Sequence, residues 1–195
     1  MPAITEHAPR RAVFLDRDGV LNRRPPLHQY VTSPGRLRLL PNVAVALSGL
    51  RAPGYALVVV TNQQGVARGV MTREDLDAVH AELRRRLRLR GADVDATYAC
   101  THLADAGCAC RKPRPGLLIQ AARELRLSLA DSVMIGDSPE DLEAGRAAGC
   151  RTVIYISRGD NRSTHADFTC RGLVQAARWL RDRHGMIQDR ERAGR

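Results

Sequence analysis

Apolar residues along this chain fall into two alternating kinds of block, short continuous runs and stretches with helical spacing. Ala12–Leu15 is apolar throughout and stops abruptly at Asp16-Arg17-Asp18-Gly19, as a strand entering a turn does. Val43–Leu50 suits a helix, and Ala56–Val60 (ALVVV) is a β-branched run of the kind buried in a parallel sheet. Thr72 stands at a capping position with Asp75 in the first turn, and Leu76, Val79, Leu83 and Leu87 share one helical face. Val94–Ala99 predicts a strand, Pro115–Leu127 a helix and Ser132–Ile135 a strand. Pro139–Ala148 predicts a helix closed by Gly149, Thr152–Ile156 a strand, and Leu173–Leu180 a helix with Trp179 on its apolar face.

Repeated strand–helix–strand units with unbroken apolar strands predict an α/β fold, a three-layer Rossmann-like parallel sheet with helices on both faces. Ligands in such sheets lie at the carboxyl ends of the strands. Asp16–Gly19, Thr61–Gly65, Arg111–Pro113 and Gly136–Asp141 all fall at such ends. No insertion is large enough for a cap domain, so the loop at Asn22–Pro34 has to roof any pocket. One domain over residues 1–195 is expected, with its core at about 11–183 and a basic tail at 184–195.

Composition narrows the class. With 195 residues, 44% of them hydrophobic, the chain can bury one full core. No run approaches the ~18–20 apolar residues of a membrane span, and no long apolar segment marks a secretory signal near the start. A cytoplasmic monomer without membrane contact is expected. The net charge of +10 admits nucleic acid as a partner. However, the positives spread along helix faces (Arg84, Arg85, Arg86, Arg88, Arg90) and the tail, and 4% aromatic residues leave little to stack on bases. A small molecule fits better. Of 31 basic residues only Lys112 is lysine, and a compact ammonium is not equivalent to a guanidinium where a small anion is held.

Four segments carry the chemistry. FLDRDGVLN sets Asp16 and Asp18 two residues apart, where like charges need a cation or a shared proton. TNQQGVARG follows a strand with a hydroxyl (Thr61), two amides (Asn62, Gln63) and a glycine, groups suited to phosphate oxygens. CRKPRPG supplies Arg111 and Lys112, and MIGDSPEDLEAG supplies Asp137 and Asp141. Each alone has an ordinary reading: an acidic turn, a helix cap, a first-turn charge. Together and in this order they do not. A fifth segment, CTHLADAGCACRKP, spaces Cys100, His102, Cys108 and Cys110 as C-x-H-x₅-C-x-C, a closed set of four zinc ligands with no open position for water. An odd count of five cysteines argues against a disulfide framework, which leaves Cys150 and Cys170 as packed thiols.

FLDRDGVLN, TNQQGVARG, RKPRPG and GDSPEDLEAG resemble the four motifs of the haloacid dehalogenase-superfamily phosphatases, over about Val13 to Leu180. More narrowly they resemble the small capless branch of heptose-bisphosphate and histidinol-phosphate phosphatases. The resemblance implies Asp16 as a nucleophile that takes the phosphoryl group, and Asp18 as the acid and then the base. It implies Mg²⁺ held by Asp16, Asp137 and Asp18 through its backbone carbonyl. It puts Thr61, Asn62 and Lys112 on phosphate oxygens, with Gln63 and Arg111 as further substrate contacts. It also implies structural Zn²⁺ at the cysteine–histidine cluster, which would fix the loop presenting Arg111 and Lys112.

The substrate implied is a small phosphorylated sugar, D-glycero-D-manno-heptose 1,7-bisphosphate losing its 7-phosphate, with the anomer open. Histidinol phosphate is the alternative, and a nucleic-acid 3′-phosphatase or a non-enzymatic basic zinc module stand behind it. TNQQGVARG favours the heptose branch, while the five-residue gap from His102 to Cys108 resembles the histidinol type. Arg23–Gln29 and Ser138 depart from the family pattern. A bisphosphate needs a second anion site, for which Arg111 leads Arg24, Arg68 and Arg114.

Overall fold

The apolar runs become strands buried on both faces. In the computed structural model, which describes residues 9–159, 163 and 165–193, the elements are β1 (Arg10–Leu15), α1 (Val43–Arg51), β2 (Ala56–Asn62), α2 (Arg73–Arg88), β3 (Ala96–Cys100), α3 (Gly116–Leu125), β4 (Leu127–Gly136), α4 (Pro139–Ala147), β5 (Thr152–Ile156), β6 (Phe168–Cys170) and α5 (Leu173–Ala193). The strands form one parallel sheet in the order β3-β2-β1-β4-β5-β6. Consecutive strands run outward from β1 to one edge and from β4 to the other. The crevice beyond the ends of β1 and β4 is therefore the point where the winding reverses, the usual ligand position in such sheets.

Alternation along each strand divides the core in two. Val13, Leu15, Leu57, Val59, Val133 and Ile135 face α1, α2 and α5. Ala12, Phe14, Val58, Val60 and Met134 face α3 and α4. The Thr72 capping box forms as its residues predict, with Asp75 N–H donating to Thr72 Oγ1 at 3.0 Å and Thr72 N–H donating to Asp75 Oδ2 at 2.9 Å. Trp179 lies flat on Phe168, ring centroids 4.9 Å apart. No helix among the described residues is long and apolar enough to cross a membrane.

Four features differ from the sequence expectation. The helix expected to reach Leu127 stops at Leu125, because Arg126 takes a left-handed conformation (φ 53°), and β4 begins at once. The register of β4 against β1 shifts between Arg11 and Val13, and Ser132 Oγ accepts the Ala12 N–H there at 2.8 Å. β6 has only three residues and no pattern to announce it. The helix expected to end at Leu180 continues as backbone to Ala193, through most of the segment taken for a tail. Residues 1–8 and 194–195 of the expected domain lie outside the described residues.

α4 rests so closely on the sheet that a Cβ at Gly145 would sit 2.6 Å from Met134 Cβ and 2.9 Å from Val153 Cγ1. Alanine is the better helix former by about 1 kcal/mol, yet overpacking a rigid face costs about 1–3 kcal/mol. Gly145→Ala is expected to lower the urea midpoint. A midpoint at or above that of the parent would show that α4 stands further off.

Candidate active site

Asp16 leaves the carboxyl end of β1 almost fully buried. Its Oδ1 accepts a hydrogen bond from Lys112 Nζ at 2.7 Å. The same ammonium meets Asp141 Oδ1 at 2.5 Å and the Val60 carbonyl oxygen at 2.9 Å, so its three protons have three acceptors. Gly19 closes the turn at φ +94°, and a Cβ there would fall 1.7 Å from Asp137 Oδ2. Glycine at this position serves both the turn and the approach of Asp137.

The amides after β2 face inward to the protein. Asn62 Nδ2 donates to the Lys112 carbonyl oxygen at 3.0 Å while its Oδ1 accepts the Lys112 N–H at 3.1 Å, which fixes the backbone that carries the ammonium. Gln63 Nε2 donates to Asp18 Oδ2 at 2.8 Å and to Thr61 Oγ1 at 2.9 Å. Asp18 also accepts from Asn22 Nδ2 at 2.7 Å and from Arg17 Nη2 at 2.9 Å. Behind Arg17 stands His80 of α2, its Nε2 3.1 Å from Arg17 Nη1. The chain pattern did not disclose Arg17, Asn22 and His80, because their partners are set by tertiary packing. The sequence offered Asp141 with no assigned role, its ordinary reading a helix cap or a first-turn charge. It caps α4, its Oδ2 accepting from Ser138 Oγ at 2.8 Å and from the Asp137 and Ser138 N–H groups at 3.1 Å each, while its Oδ1 turns to Lys112.

A cavity of about 780 Å³ opens over these groups. Asp16, Asp18, Thr61, Asn62, Gln63 and Lys112 line it, as do Arg24, Arg68 and Arg111 and one wall built from residues 24–30 of the expected roof loop. Arg111 Nη1 is buried without a hydrogen-bond partner among the described residues. Arg114 instead donates to the Cys108 carbonyl oxygen at 2.7 Å and is not among the cavity residues.

Electrostatics separate the two aspartates of the turn. Burial pushes Asp16 up to about 7 despite the opposing charge of Lys112, with Asp141 and Asp18 adding to the rise. For Asp18, burial is outweighed by the Arg17 charge and the hydrogen bonds from Asn22, Gln63 and Arg17, which hold it below the ordinary carboxylate value. Burial carries Asp137 to about 6 against the pull of Arg24, whose Nη2 lies 2.5 Å from its Oδ1. For Lys112, burial is overcome by Asp141 and then Asp16, which hold the ammonium charged. Burial and then the Arg17 charge bring His80 down to about 4, so its imidazole is neutral and accepts from Arg17.

Two clusters suit metals. Asp16, Asp137 and Asp141 each offer an oxygen, all within 4.8 Å of one another. Carboxylate oxygens gathered this closely fit a hard, oxygen-seeking cation such as Mg²⁺. The Asp18 carboxylate is held by Arg17, Asn22 and Gln63, which leaves its backbone carbonyl as the group it can offer. At the end of β3, the Sγ atoms of Cys100 and Cys108 are 3.7 Å apart, those of Cys108 and Cys110 3.6 Å and those of Cys100 and Cys110 3.3 Å. His102 Nδ1 lies 3.5 Å from Cys100 Sγ and 3.2 Å from Cys110 Sγ. Tetrahedral zinc with Zn–S bonds of about 2.3 Å sets its sulfurs about 3.8 Å apart, so the cluster fits it closely. Burial, and then the Cys100 and Cys108 sulfurs, push the Cys110 thiol up to about 12. Three thiolates can coexist here only around a cation.

Comparison with known proteins gives consistent results. A family model described as HAD-hydrolase-like matches residues 109–174. The D-glycero-β-D-manno-heptose-1,7-bisphosphate 7-phosphatase of Photorhabdus laumondii is 39% identical over 163 residues, covering 80% of this chain and 85% of that protein. The Bordetella bronchiseptica protein of the same name is 37% identical over 172 residues, covering 88% and 93%. The crystal structure of D,D-heptose 1,7-bisphosphate phosphatase from B. bronchiseptica, complexed with magnesium and phosphate, is similar with a TM-score of 0.77 and 34% identity, covering 87% of this chain and 97% of that one.

The raised values of Asp16 and Asp137 carry a definite sign. Between the ordinary 3.8 and about 6 to 7, the metal-free folded chain keeps protons there that the unfolded chain releases. The folded state binds more protons in that window, so this contribution to stability is present at low pH and lost as pH rises through about 6 to 7. A divalent cation competes with those protons. Its affinity is expected to climb at least ~10-fold from about pH 5 to 7 and then level off. Calorimetric Mg²⁺ titrations at stepped pH measure this, and a flat affinity would contradict the carboxylate site.

Proposed function

The chain belongs to the haloacid dehalogenase superfamily, in its heptose-bisphosphate phosphatase branch, and we propose that it hydrolyses D-glycero-β-D-manno-heptose 1,7-bisphosphate at the 7-phosphate. The observation that carries this reading is the Lys112 ammonium lodged between Asp16 and Asp141 beneath a cavity lined by arginines. The β anomer follows the names of the relatives. The same reading makes the protein a cytoplasmic monomer acting on a soluble sugar phosphate.

Asp16 attacks phosphorus, its Oδ–P bond forming as the bond to the sugar oxygen breaks. The departing alkoxide takes a proton from Asp18. Asp18 then removes a proton from water, whose oxygen attacks the aspartyl-phosphate and releases Asp16 and inorganic phosphate. The three donors around Asp18 favour its anionic form, the state it needs in the second half. Lys112 neutralises the attacking carboxylate and its charge offsets that of the phosphoryl oxygens beside it, with Asn62 fixing its backbone. Thr61, held by Gln63, presents its hydroxyl beside it. Mg²⁺ held by Asp16, Asp137 and the Asp18 carbonyl supplies the positive charge that lets one anion approach another. Arg111, with its unpartnered Nη1, receives the second phosphate, and Arg68 lines the same cavity.

The test is a panel of esters with Mg²⁺ present: both heptose bisphosphate anomers, histidinol phosphate and a 3′-phosphorylated oligonucleotide. The β anomer is expected to react best, and Asp16→Asn to lose at least ~10³-fold in kcat with the fold intact. Faster turnover of histidinol phosphate would overturn the substrate, and substantial activity in Asp16→Asn would overturn the nucleophile.

Cys100, His102, Cys108 and Cys110 hold zinc in this reading, and Cys110 leads directly into Arg111 and Lys112. Elemental analysis is expected to find about one zinc per chain, and its chelation to reduce turnover at saturating Mg²⁺. A fully active zinc-free chain would remove the knuckle from the mechanism.

A further inference from the structure

Arg17 sits between the two aspartates of the catalytic turn, yet its side chain is fully buried and is not among the residues that line the cavity. It cannot touch a substrate there, so any part it has in the chemistry passes through what it holds. Its guanidinium has two partners: Nη2 donates to Asp18 Oδ2 at 2.9 Å, and Nη1 lies 3.1 Å from His80 Nε2, while Nε has none. A buried guanidinium is stable only with good acceptors. Because the fork is planar and rigid, fixing one terminal nitrogen fixes the direction of the other.

His80 belongs to α2, 63 residues away in sequence, and follows the core residue Val79. Since Arg17 Nη1 is the donor, the ring proton is on Nδ1 and the imidazole is an uncharged acceptor. A carboxylate in its place would divide the Arg17 charge between two anions. An apolar side chain would leave Nη1 buried and unpartnered beside an Nε that already is.

We propose that His80 is a positioning residue for phosphoryl transfer, its imidazole locking the Arg17 guanidinium so that Arg17 holds the Asp18 carboxylate in the orientation that hands a proton to the leaving group. The inference rests on the reading of Asp18 as the residue that moves that proton. A merely structural histidine would show itself differently. Loss of packing lowers turnover of every ester alike, whereas a misplaced proton donor matters only when the leaving group needs a proton. A sugar alkoxide needs one, and 4-nitrophenolate departs without.

The experiment measures kcat/KM, which reports the steps up to loss of the leaving group, for heptose bisphosphate and for 4-nitrophenyl phosphate. It compares wild type, His80→Leu and His80→Gln at saturating Mg²⁺. His80→Leu is expected to lose about 10- to 100-fold on the sugar ester and no more than about threefold on the aryl ester. His80→Gln, whose amide oxygen can accept from Arg17, is expected to restore most of the sugar-ester rate. If His80→Leu does not fold, His80→Asn replaces it, its shorter amide falling short of Arg17, with the same selective loss expected. Equal losses on both esters, no loss on either, or no rescue by glutamine would overturn the proposal and leave the phosphatase reading standing. A wild type that turns over neither ester would overturn both.

Discussion

A carboxylate proposed to attack phosphorus has to be ionised, and one buried at the end of a central strand resists ionisation. Burial drives Asp16 towards about 7, and the Lys112 ammonium opposes that rise most strongly. The ammonium is itself buried, and is kept charged by Asp141 and Asp16. Each charge is thus tolerated because of the others, and removing one partner would leave an uncompensated ion in the interior. Four parts of the chain meet at this nitrogen: the ends of β1 and β2, the first turn of α4, and the loop that leaves the cysteine–histidine cluster. The three acceptors also explain why this position is lysine in a chain otherwise given to arginine. Three acceptors around one nitrogen match the protons of an ammonium, whereas a guanidinium spreads its donors over a flat fork.

Two residues further on, the same turn sets up the opposite situation. Asp18 is nearly as enclosed as Asp16, yet Arg17, Asn22 and Gln63 bring its value down where burial takes Asp16 up. One turn therefore holds a carboxylate that keeps its proton until a cation displaces it, and another whose donors favour the anion, so that a proton placed on it is readily given up. Neighbouring acids whose surroundings drive them apart can divide a reaction between them. Here the contrast is made by Arg17, Asn22 and Gln63 as much as by the acids themselves, with His80 standing behind Arg17.

Much of this was legible in the chain, for a physical reason. Strands covered on both faces are continuous apolar runs, and β1, β2, β4 and β5 show such runs, so the sheet and the four segments at its carboxyl ends could be placed. What escaped lacks a local signature. β6 is three residues long, and the end of α3 depends on an arginine, rather than a glycine, taking a left-handed conformation. The amides of Asn62 and Gln63 carry hydrogen-bonding power that the sequence displays, but their partners, the Lys112 backbone and Asp18, lie 50 and 45 residues away. Asp141 was hidden by its ordinary task, since a carboxylate that caps a helix with one oxygen gives no sign of what the other one meets.

The cysteine–histidine cluster has its place in the same logic. Lys112 follows the edge strand β3, while its partner Asp16 stands at the end of β1, two strands inward. With strands about 4.8 Å apart, the ammonium has to be delivered roughly 10 Å across the top of the sheet, from a segment with no helix or strand between Cys100 and Gly116. Such a loop would hold the amine in many positions unless something restricts it, and ordering it residue by residue is entropically expensive. Four side chains that could hold one metal ion converge between Cys100 and Cys110, where a bound ion would close the loop on itself, and Asn62 takes hold of the backbone two residues later. The knuckle and the amide therefore act in series, the first setting where the loop emerges and the second where Lys112 stops. With no cap domain among the described residues to press on the site from above, a two-point restraint of this kind from the side would keep the buried lysine aligned with its aspartate.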